Sequence, residues 1–369
     1  MSTTVLRQPH HDLPADAIAD YAGKALTPLV DAIDREGFYP RDVVTGLGRR
    51  GGFGALVTTA DTLPATQLHT IEAVGRYCGS TAFIAWCQSA SAWYLAKAPN
   101  AAPRERFLAK VLAGTLPAGS GMSNFLKHYA GIEKIRLTAR RDGKGYRING
   151  ILPWVSNLDR GHLLLTAAGT EDGGYIMVAL PVETDGLALH PCPAFSGMEG
   201  TNTWNIRMND VFVPDDQVLA HPDQFADFMT AVKPALILTQ VGMGLGLIAG
   251  CIDILDGDRA ANKTTNAFLD DDADTLRATL ARLHDEAAAL AVADGIPLLP
   301  VLRLRAQASE WALRAAQSTA LRVGARGYLM RHPAQRRLRE ALFVAIVTPA
   351  LKHLRKEIAD AEQADAEAA

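Results

Sequence analysis

The feature that most constrains the fold is a hydrophobic periodicity that changes twice along the chain. Residues 13 to 113 are rich in Ala and Leu at helical spacing, and this spacing returns from about residue 223 onward. Between them, residues 114 to 215 form short alternating runs separated by turn sequences. These runs are KIRLTARR, YRINGILPWVS, HLLLTAAG, YIMVALPV, LALHPCP and WNIRMNDVFVP. Period-two alternation is typical of antiparallel strands in a small barrel or sandwich.

This pattern predicts an α+β protein of three domains. They are an N-terminal α-helical domain over 1–113, a central antiparallel β-barrel or sandwich over 114–222, and a C-terminal α-helical bundle over 223–369. Asp12 is the predicted N-cap of the first helix. Helices on both sides of a β-domain are an uncommon order of elements. The order therefore narrows the possible folds before any motif is considered.

Composition and charge exclude several classes of protein. A net charge of −3 gives no electrostatic reason to expect nucleic acid or an anionic membrane as a partner. The longest apolar run, 234–255, is interrupted by Gln240 and by glycines, which favours a buried helix over a membrane span. The N-terminus carries no apolar core typical of a signal peptide, and the four cysteines match no zinc or redox spacing. We expect a cytoplasmic protein with no metal site.

Two motifs in the β-region resemble the acyl-CoA dehydrogenase family of flavoproteins. They are DGKGYRINGILPWVSN and GMEGTNTWNIRMNDVFVP. The resemblance implies bound FAD and a C-terminal four-helix bundle. A flavin ring needs an aromatic wall and a few hydrogen-bonding partners, which Trp154 and Ser156 supply in this interpretation. The alternative for Trp154 is a core tryptophan of the barrel.

Two further segments match the family in part. In LAGTLPAGSGMSNFLK, Ser123 lies where the family has Ser or Thr before Glu-Pro, and the resemblance implies a second contact to the flavin. The alternative is a loop or cap serine. In AVKPALILTQVGMGLG, the pair Lys233-Pro234 matches a pair that opens a C-terminal helix, and Gly242 follows at the family spacing. The glycines allow close approach of a thioester tail or of another helix.

The residue that removes a proton in the family is missing from this chain. Most members carry a Glu shortly after an Arg-Asp pair. Arg339-Glu340 matches that pair, and counting onward brings Thr348 to the Glu position, followed by Pro349. A threonine hydroxyl has too high a pKa to act as a base, and Pro349 predicts a break in the helix. Some members place the Glu near Lys233, but no acidic residue lies between Asp227 and Asp253.

The family's contacts to the far end of the cofactor also differ. The Arg-x-x-Phe-Gly pattern is missing, although Arg259 lies in the corresponding region, and the family's Gln-x-x-Gly-Gly-x-Gly is replaced by LRVGARG. Arg326 in that segment could bind a cofactor phosphate. The alternative is a surface or helix-terminal arginine.

Three functions remain open from the sequence. The first is an FAD-dependent acyl-CoA dehydrogenase-like oxidoreductase, acting by hydride transfer to flavin N5, with a relocated or absent base. The second is a monooxygenase on the same fold, which uses FMN or transient reduced flavin and dioxygen and needs no such base. In that case His353 is the catalytic candidate, and His332 is a helix boundary. The alternative for His353 is a partly exposed helix residue. The third is a non-catalytic subunit.

The resemblance implies a homodimer or homotetramer, a small-molecule substrate such as a CoA thioester, and a flavin reductase or electron-transfer flavoprotein as partner.

Overall fold

The computed structural model describes residues 15–57, 63–258, 263–292 and 295–368. Asp12 and Arg259 lie outside these residues. The N-terminal helices are α1 (Ala15–Leu26), α2 (Val30–Arg35), α3 (Arg41–Gly48), α4 (Leu63–Gly75), α5 (Gly79–Lys97) and α6 (Ala101–Leu112). The C-terminal helices are α8 (Phe225–Gly257), α9 (Lys263–Asn266), α10 (Ala273–Ala291), α11 (Leu298–Val323), α12 (Pro333–Ile346) and α13 (Leu351–Ala368).

The central region contains the strands and one short helix, α7 (Ser123–Tyr129). The strands are β1 (Ala118–Ser120), β2 (Leu137–Arg141), β3 (Gly145–Val155), β4 (Leu163–Thr170), β5 (Tyr175–Pro181), β6 (Leu187–Pro191), β7 (Trp204–Pro214) and β8 (Val218–Ala220). The succession of helices, strands and helices confirms the predicted α+β class. All six strands predicted from alternation are present, whereas α7 and the two three-residue strands were not predicted.

The strands form one sheet in the order β6-β7-β3-β2-β4-β5-β8, with β1 added beside β4. Most pairs are antiparallel, but β4 pairs in parallel with both β1 and β2. The prediction of a purely antiparallel sheet is therefore wrong at β4. Alternation reports which face of a strand is buried and carries no information about the direction of its neighbour, so the sequence pattern could not distinguish the two arrangements.

Helices from both ends of the chain share one hydrophobic core, which also covers one face of the sheet, while a second core lies within the β-region. Backbones approach closely in the shared core. A Cβ placed on Gly246 of α8 would lie 2.8 Å from the Cα of Gly75 in α4. The glycines of α8 thus serve helix packing. The domain boundaries at 113 and 222 fall between elements, but the division into three domains stays a prediction.

Helix α8 differs from its prediction at one end. Lys233-Pro234 was expected to open the helix, yet the helix begins at Phe225 and continues through Pro234. Proline in a helix interior removes one backbone hydrogen bond. The helix is held on both sides of this point, because Trp93 and Trp86 of α5 donate indole hydrogen bonds to the carbonyls of Val232 and Leu236. By length and composition α8 could span a membrane, but 94% of its most apolar 18 residues are buried inside the fold.

Candidate active site

The structure brings together two predicted site residues that are 225 positions apart in sequence. Ser123 begins α7, and Thr348 lies in the break between α12 and α13, where Pro349 was expected to end the helix. The Ser123 Oγ and Thr348 Oγ1 atoms are 2.7 Å apart, which is a hydrogen bond. The residue predicted to contact the flavin therefore meets the position to which the resemblance assigns the base.

A polar chain behind Thr348 fixes the main chain at this point. Gln240 of α8 donates from Nε2 to the Thr348 carbonyl at 3.0 Å. Its Oε1 accepts from Arg305 of α11 at 3.3 Å, and Arg305 also donates to the Val344 carbonyl at 2.7 Å and to Ser309. The position of Thr348 thus depends on buried side chains from two helices.

Arg305 contributes a buried positive charge. Its exposed fraction is 0%, and its described hydrogen-bond partners are all neutral. Burial lowers the pKa of the guanidinium to about 10, so the side chain stays protonated at neutral pH. A cation without a carboxylate partner in a low-dielectric interior favours negative charge in its surroundings. The region behind Thr348 is therefore electropositive.

Trp154 is exposed, which makes the interpretation as a core tryptophan wrong. Its exposed fraction is 62%, and its backbone has a φ of 56°, a left-handed value that bulky residues rarely adopt. The β3–β7 register is irregular between Leu152 and Val155, so the strand bulges where Trp154 occurs. The ring meets Phe195 edge to face, with centroids 6.2 Å apart. One flat aromatic surface is thus presented to solvent by a strained stretch of backbone.

The residues after Trp154 anchor this stretch. Ser156 is 8% exposed, and its Oγ lies 2.6 Å from Thr203 Oγ1. Asn157, also left-handed with a φ of 60°, is fully buried. It accepts a hydrogen bond from Tyr39 at 2.6 Å and donates to the Ala118 carbonyl at 2.8 Å. These contacts connect the end of β3 to the N-terminal helices and to β1.

These groups suit a flat, polar-edged ring. Trp154 offers a stacking face, and Ser123 and Ser156 offer hydroxyl groups. Trp204 pairs with Val155 across β3 and β7, and its buried indole Nε1 has no hydrogen-bond partner among the described residues. A buried donor without a partner costs free energy unless a ligand or water accepts its hydrogen bond. The donor set and the exposed ring face therefore fit the isoalloxazine group.

His353 is buried beside the Lys233–Glu357 ion pair, so the interpretation as a partly exposed residue is wrong. It is 3% exposed, and its Nε2 is 2.6 Å from Glu357 Oε1. Lys233 Nζ lies 2.7 Å from the other Glu357 oxygen. Burial alone would raise the pKa of the Glu357 carboxyl, but the hydrogen bond from His353 and the charge of Lys233 outweigh it and lower the pKa. His353 Nδ1 is buried with no partner among the described residues.

Other predicted residues have structural partners. Arg326 follows α11, is mostly exposed, and pairs with Asp258 at the end of α8 at 2.9 Å, as a helix-terminal arginine would. His332 is the N-cap of α12, as predicted. Arg339 pairs with Asp34 of α2 at 2.7 Å, and Glu340 is buried between arginines. The segment that resembles the family's Arg-Asp pair therefore holds α12 against the N-terminal helices.

Sequence reasoning missed three residues of this site: Gln240, Arg305 and Glu357. Gln240 had been noted as an interruption of an apolar run. Arg305 lies in the similarly apolar LLPVLRLRAQ. A polar residue on the buried face of a helix needs a partner, and this was the available signal.

In sequence, the chain is similar to known acyl-CoA dehydrogenases. A family model described as acyl-CoA dehydrogenase, N-terminal domain, matches residues 8–115. The chain is 25% identical to the probable acyl-CoA dehydrogenase YngJ of Bacillus subtilis (strain 168), over 64% of this chain and 65% of that protein. It is also 25% identical to the mitochondrial short-chain specific acyl-CoA dehydrogenase of Homo sapiens, over 58% of this chain and 53% of that protein. The match thus spans between half and two thirds of these relatives.

The fold is similar over nearly its whole length to a solved structure. The butyryl-CoA dehydrogenase of Megasphaera elsdenii superposes with a TM-score of 0.83, covering 95% of this chain and 97% of that one. The sequence identity is 17%, so this likeness concerns the fold alone. The N-terminal domain match and the curated relatives thus make the chain similar in sequence to acyl-CoA dehydrogenases, and the solved structure shows that it shares their fold.

Proposed function

We propose that the protein is a flavin-dependent oxidoreductase that acts on an acyl-CoA or a similar acyl thioester. The observation that carries the proposal is the 2.7 Å contact between Ser123 and Thr348. Two positions assigned separately by resemblance, one to the cofactor and one to the proton-removing group, meet in space. Such a meeting is expected if the chain keeps the arrangement of the family's active site.

Residues of this chain would hold FAD at its ring. Trp154 would pack against the ring plane, and Ser123 and Ser156 would hydrogen-bond its polar edge. When bound, the flavin supplies N5 as the acceptor of a hydride from the substrate. Arg326 is proposed for a phosphate group, which requires it to exchange its partner Asp258 for the cofactor.

The proton step has no free carboxylate in the described part of this site. Thr348 is too weak a base. Glu357 already holds two cationic or hydrogen-bonding partners, and its lowered pKa makes it a poorer proton acceptor. The buried charge of Arg305 instead favours negative charge near Thr348. We propose that the α-proton passes to solvent from a thioester in which this proton is acidic, or to a basic group that the substrate itself carries.

A second candidate function is a monooxygenase that uses reduced flavin. The observation in its favour is that Thr348 replaces the carboxylate while His353 is buried with one ring nitrogen unpartnered among the described residues. In this case His353, held by Glu357, is the group that moves a proton. The third function, a non-catalytic subunit, does not explain the exposed, strained Trp154.

One experiment separates these functions. The purified protein is examined for flavin absorbance and then titrated anaerobically with an acyl-CoA whose α-proton is acidic or whose acyl group carries a base. Bound oxidised flavin that loses its absorbance supports the oxidoreductase. A colourless protein that binds reduced FMN and consumes oxygen, with slower consumption in His353→Gln, supports the monooxygenase. Absence of affinity for flavin in both redox states would exclude both enzymes.

The partners and the oligomeric state are proposed from the same resemblance. We expect a homodimer or homotetramer in the cytoplasm. An electron-transfer flavoprotein would reoxidise the flavin in the first function. A flavin reductase would supply reduced flavin in the second. Mixing the protein with each partner under turnover conditions tests which of the two sustains activity.

A further inference from the structure

Three side chains that take no part in the proposed flavin site converge where α4 meets α10. His69 and Glu72 lie three positions apart and so occupy the same face of α4. His284 reaches them from α10. One ligand-type atom from each residue, two imidazole nitrogens and a carboxylate oxygen, lies within 4.8 Å of the others.

The carboxylate is the centre of this cluster. Glu72 Oε1 and Oε2 both lie 2.8 Å from His284 Nε2, and Oε2 lies 3.2 Å from His69 Nδ1. The Glu72 side chain is 9% exposed, whereas those of His69 and His284 are 52% and 36% exposed. A mostly buried carboxylate is therefore covered by two imidazoles that remain open to solvent. An ion can reach this cluster from outside.

We propose that His69, Glu72 and His284 form a binding site for a divalent transition metal of the zinc class. Two imidazoles and one carboxylate are a donor set that Zn²⁺ accepts, with water in the fourth position. Tetrahedral zinc with bonds of about 2.1 Å places its ligand atoms about 3.4 Å apart. The distances from Glu72 to the two imidazole nitrogens, 2.8 and 3.2 Å, are within about 0.6 Å of this value. Small side-chain movements would therefore close the site. The same nitrogens that face Glu72 as hydrogen-bond partners become ligands when they are deprotonated.

The site would connect the N-terminal helices to the C-terminal bundle. Glu72 and His69 belong to the N-terminal helices and His284 to the C-terminal bundle. A metal bound between them stabilises the folded state, because the unfolded chain holds no preformed site. The site is independent of the flavin chemistry, since none of its three residues takes part in the network around Thr348.

Zinc titration of the full-length, chelator-treated protein tests the proposal. Isothermal titration calorimetry with ZnCl₂ is expected to show a single site in the wild type. His69→Gln and His284→Gln should each weaken binding by about tenfold or more. His190→Gln, which removes an exposed histidine of β6, is the matched control and should bind as the wild type does. No binding to the wild type, or equal binding to all variants, overturns the proposal.

A second measurement guards against variants with altered stability. The melting temperature of each protein is measured with ZnCl₂ and with EDTA, and the difference between the two is compared. The wild type and His190→Gln should melt at higher temperature with zinc, while His69→Gln and His284→Gln should show a much smaller rise. A purely structural hydrogen-bonded cluster would lower the melting temperature of the variants and leave no zinc-dependent rise in any of them.

Discussion

Thr348 is placed where its side chain cannot do what a carboxylate would do. Its hydroxyl hydrogen-bonds Ser123 and its carbonyl accepts a hydrogen bond from Gln240, so these two groups are occupied by neutral partners. The nearest strong charge in the described network is the buried guanidinium of Arg305. A carboxylate introduced at this position would lie in an electropositive region and would be ionised.

Thr348→Glu is therefore expected to create or raise acyl-CoA dehydrogenation. A positioned general base typically contributes at least about 10²-fold to a rate. The measurement is the anaerobic rate at which butyryl-CoA removes the absorbance of the oxidised flavin. Thr348→Gln is the control, because the glutamine side chain has the same size as glutamate but cannot act as a base. Equal rates for the Glu and Gln variants would contradict either the placement of the base or the choice of substrate.

Trp154→Ala tests whether the exposed indole is a cofactor wall. Loss of one aromatic stacking partner should weaken flavin binding by up to about tenfold. The free energy of unfolding without flavin should change little, because the ring is mostly exposed. Phe212→Ala removes a partly exposed ring from β7 and serves as control. Flavin titration followed by fluorescence gives both affinities, and equal losses in the two variants would count against this role.

Some residues of the candidate site could be predicted from the sequence, and others could not. Ser123 and Thr348 were placed by counting along motifs, and the structure brings them into contact. Gln240 and Arg305 could not be placed in the same way, since their role depends on which helix faces pack together. His353 was selected for its position after Thr348, but its burial depends on Glu357 and on Lys233 of α8. A single sequence does not show that His353, Glu357 and Lys233 come together in the fold.

At the scale of elements, α12 is attached to the start of α5 by a buried ionic cluster. Glu340 is 3% exposed, contacts Arg336 and Arg337 at 2.9 and 2.8 Å, and accepts a hydrogen bond from the Gly79 backbone N–H at 2.9 Å. Burial alone would raise the pKa of this carboxyl, but the two arginines outweigh it and lower the pKa. One side chain thus accepts a hydrogen bond from a helix N-terminus and pairs with two buried cations.

Glu340→Gln should destabilise the fold by about 3–5 kcal/mol at pH 7, because it leaves buried arginines without a counter-charge. Below the ordinary pKa of 4.5 the unfolded state binds the proton more readily than the folded state. The contribution of Glu340 is therefore complete above this pH and is lost as the pH falls. Urea unfolding of both proteins from pH 7 to pH 3.5 measures the difference.

The control for this prediction is Asp360→Asn, which breaks the exposed Lys356–Asp360 pair of α13. Exposed pairs of this kind contribute about 0.3–0.5 kcal/mol. If Glu340→Gln lowered the free energy of unfolding no more than this control does, the buried cluster would not be what attaches α12 to α5. A difference from the wild type that did not shrink at low pH would mean that ionisation of Glu340 is not its source.

Elements were predictable in proportion to their length. The six alternating runs became strands, and the break before Pro349 was expected from its effect on Thr348. Three-residue strands such as β1 contain too few alternations to be recognised. The start of α8 was misplaced because Pro234 is favourable in a first turn, whereas tryptophans on α5 hold the helix across it.

At the scale of the whole molecule, the C-terminal bundle exposes apolar side chains that suit self-association. Leu329 and Met330 are 62% and 57% exposed, and Leu342 and Ile346 lie one turn apart on α12 with 50% and 60% exposed. Apolar surface of this kind often marks an interface. It agrees with the expected homodimer or homotetramer, which stays a prediction.

The double variant Leu329→Glu, Met330→Glu should shift the protein toward monomer, since two charges would be buried in any interface formed there. Light scattering after size-exclusion chromatography measures the mass. Ile151→Glu on β3, another exposed apolar position, is the control and should keep the wild-type mass. Unchanged mass in the double variant would place the interface elsewhere.

The continuous course of α8 has a consequence for how a ligand enters the protein. This 33-residue helix packs against α4 at the contact of Gly246 with Gly75 and carries Gln240 at the candidate site. A hinge between the N-terminal and C-terminal helices would have to separate these backbones and open their common core. Admission of a ligand should therefore leave the two sets of helices together, so that they act as a fixed frame around the candidate site.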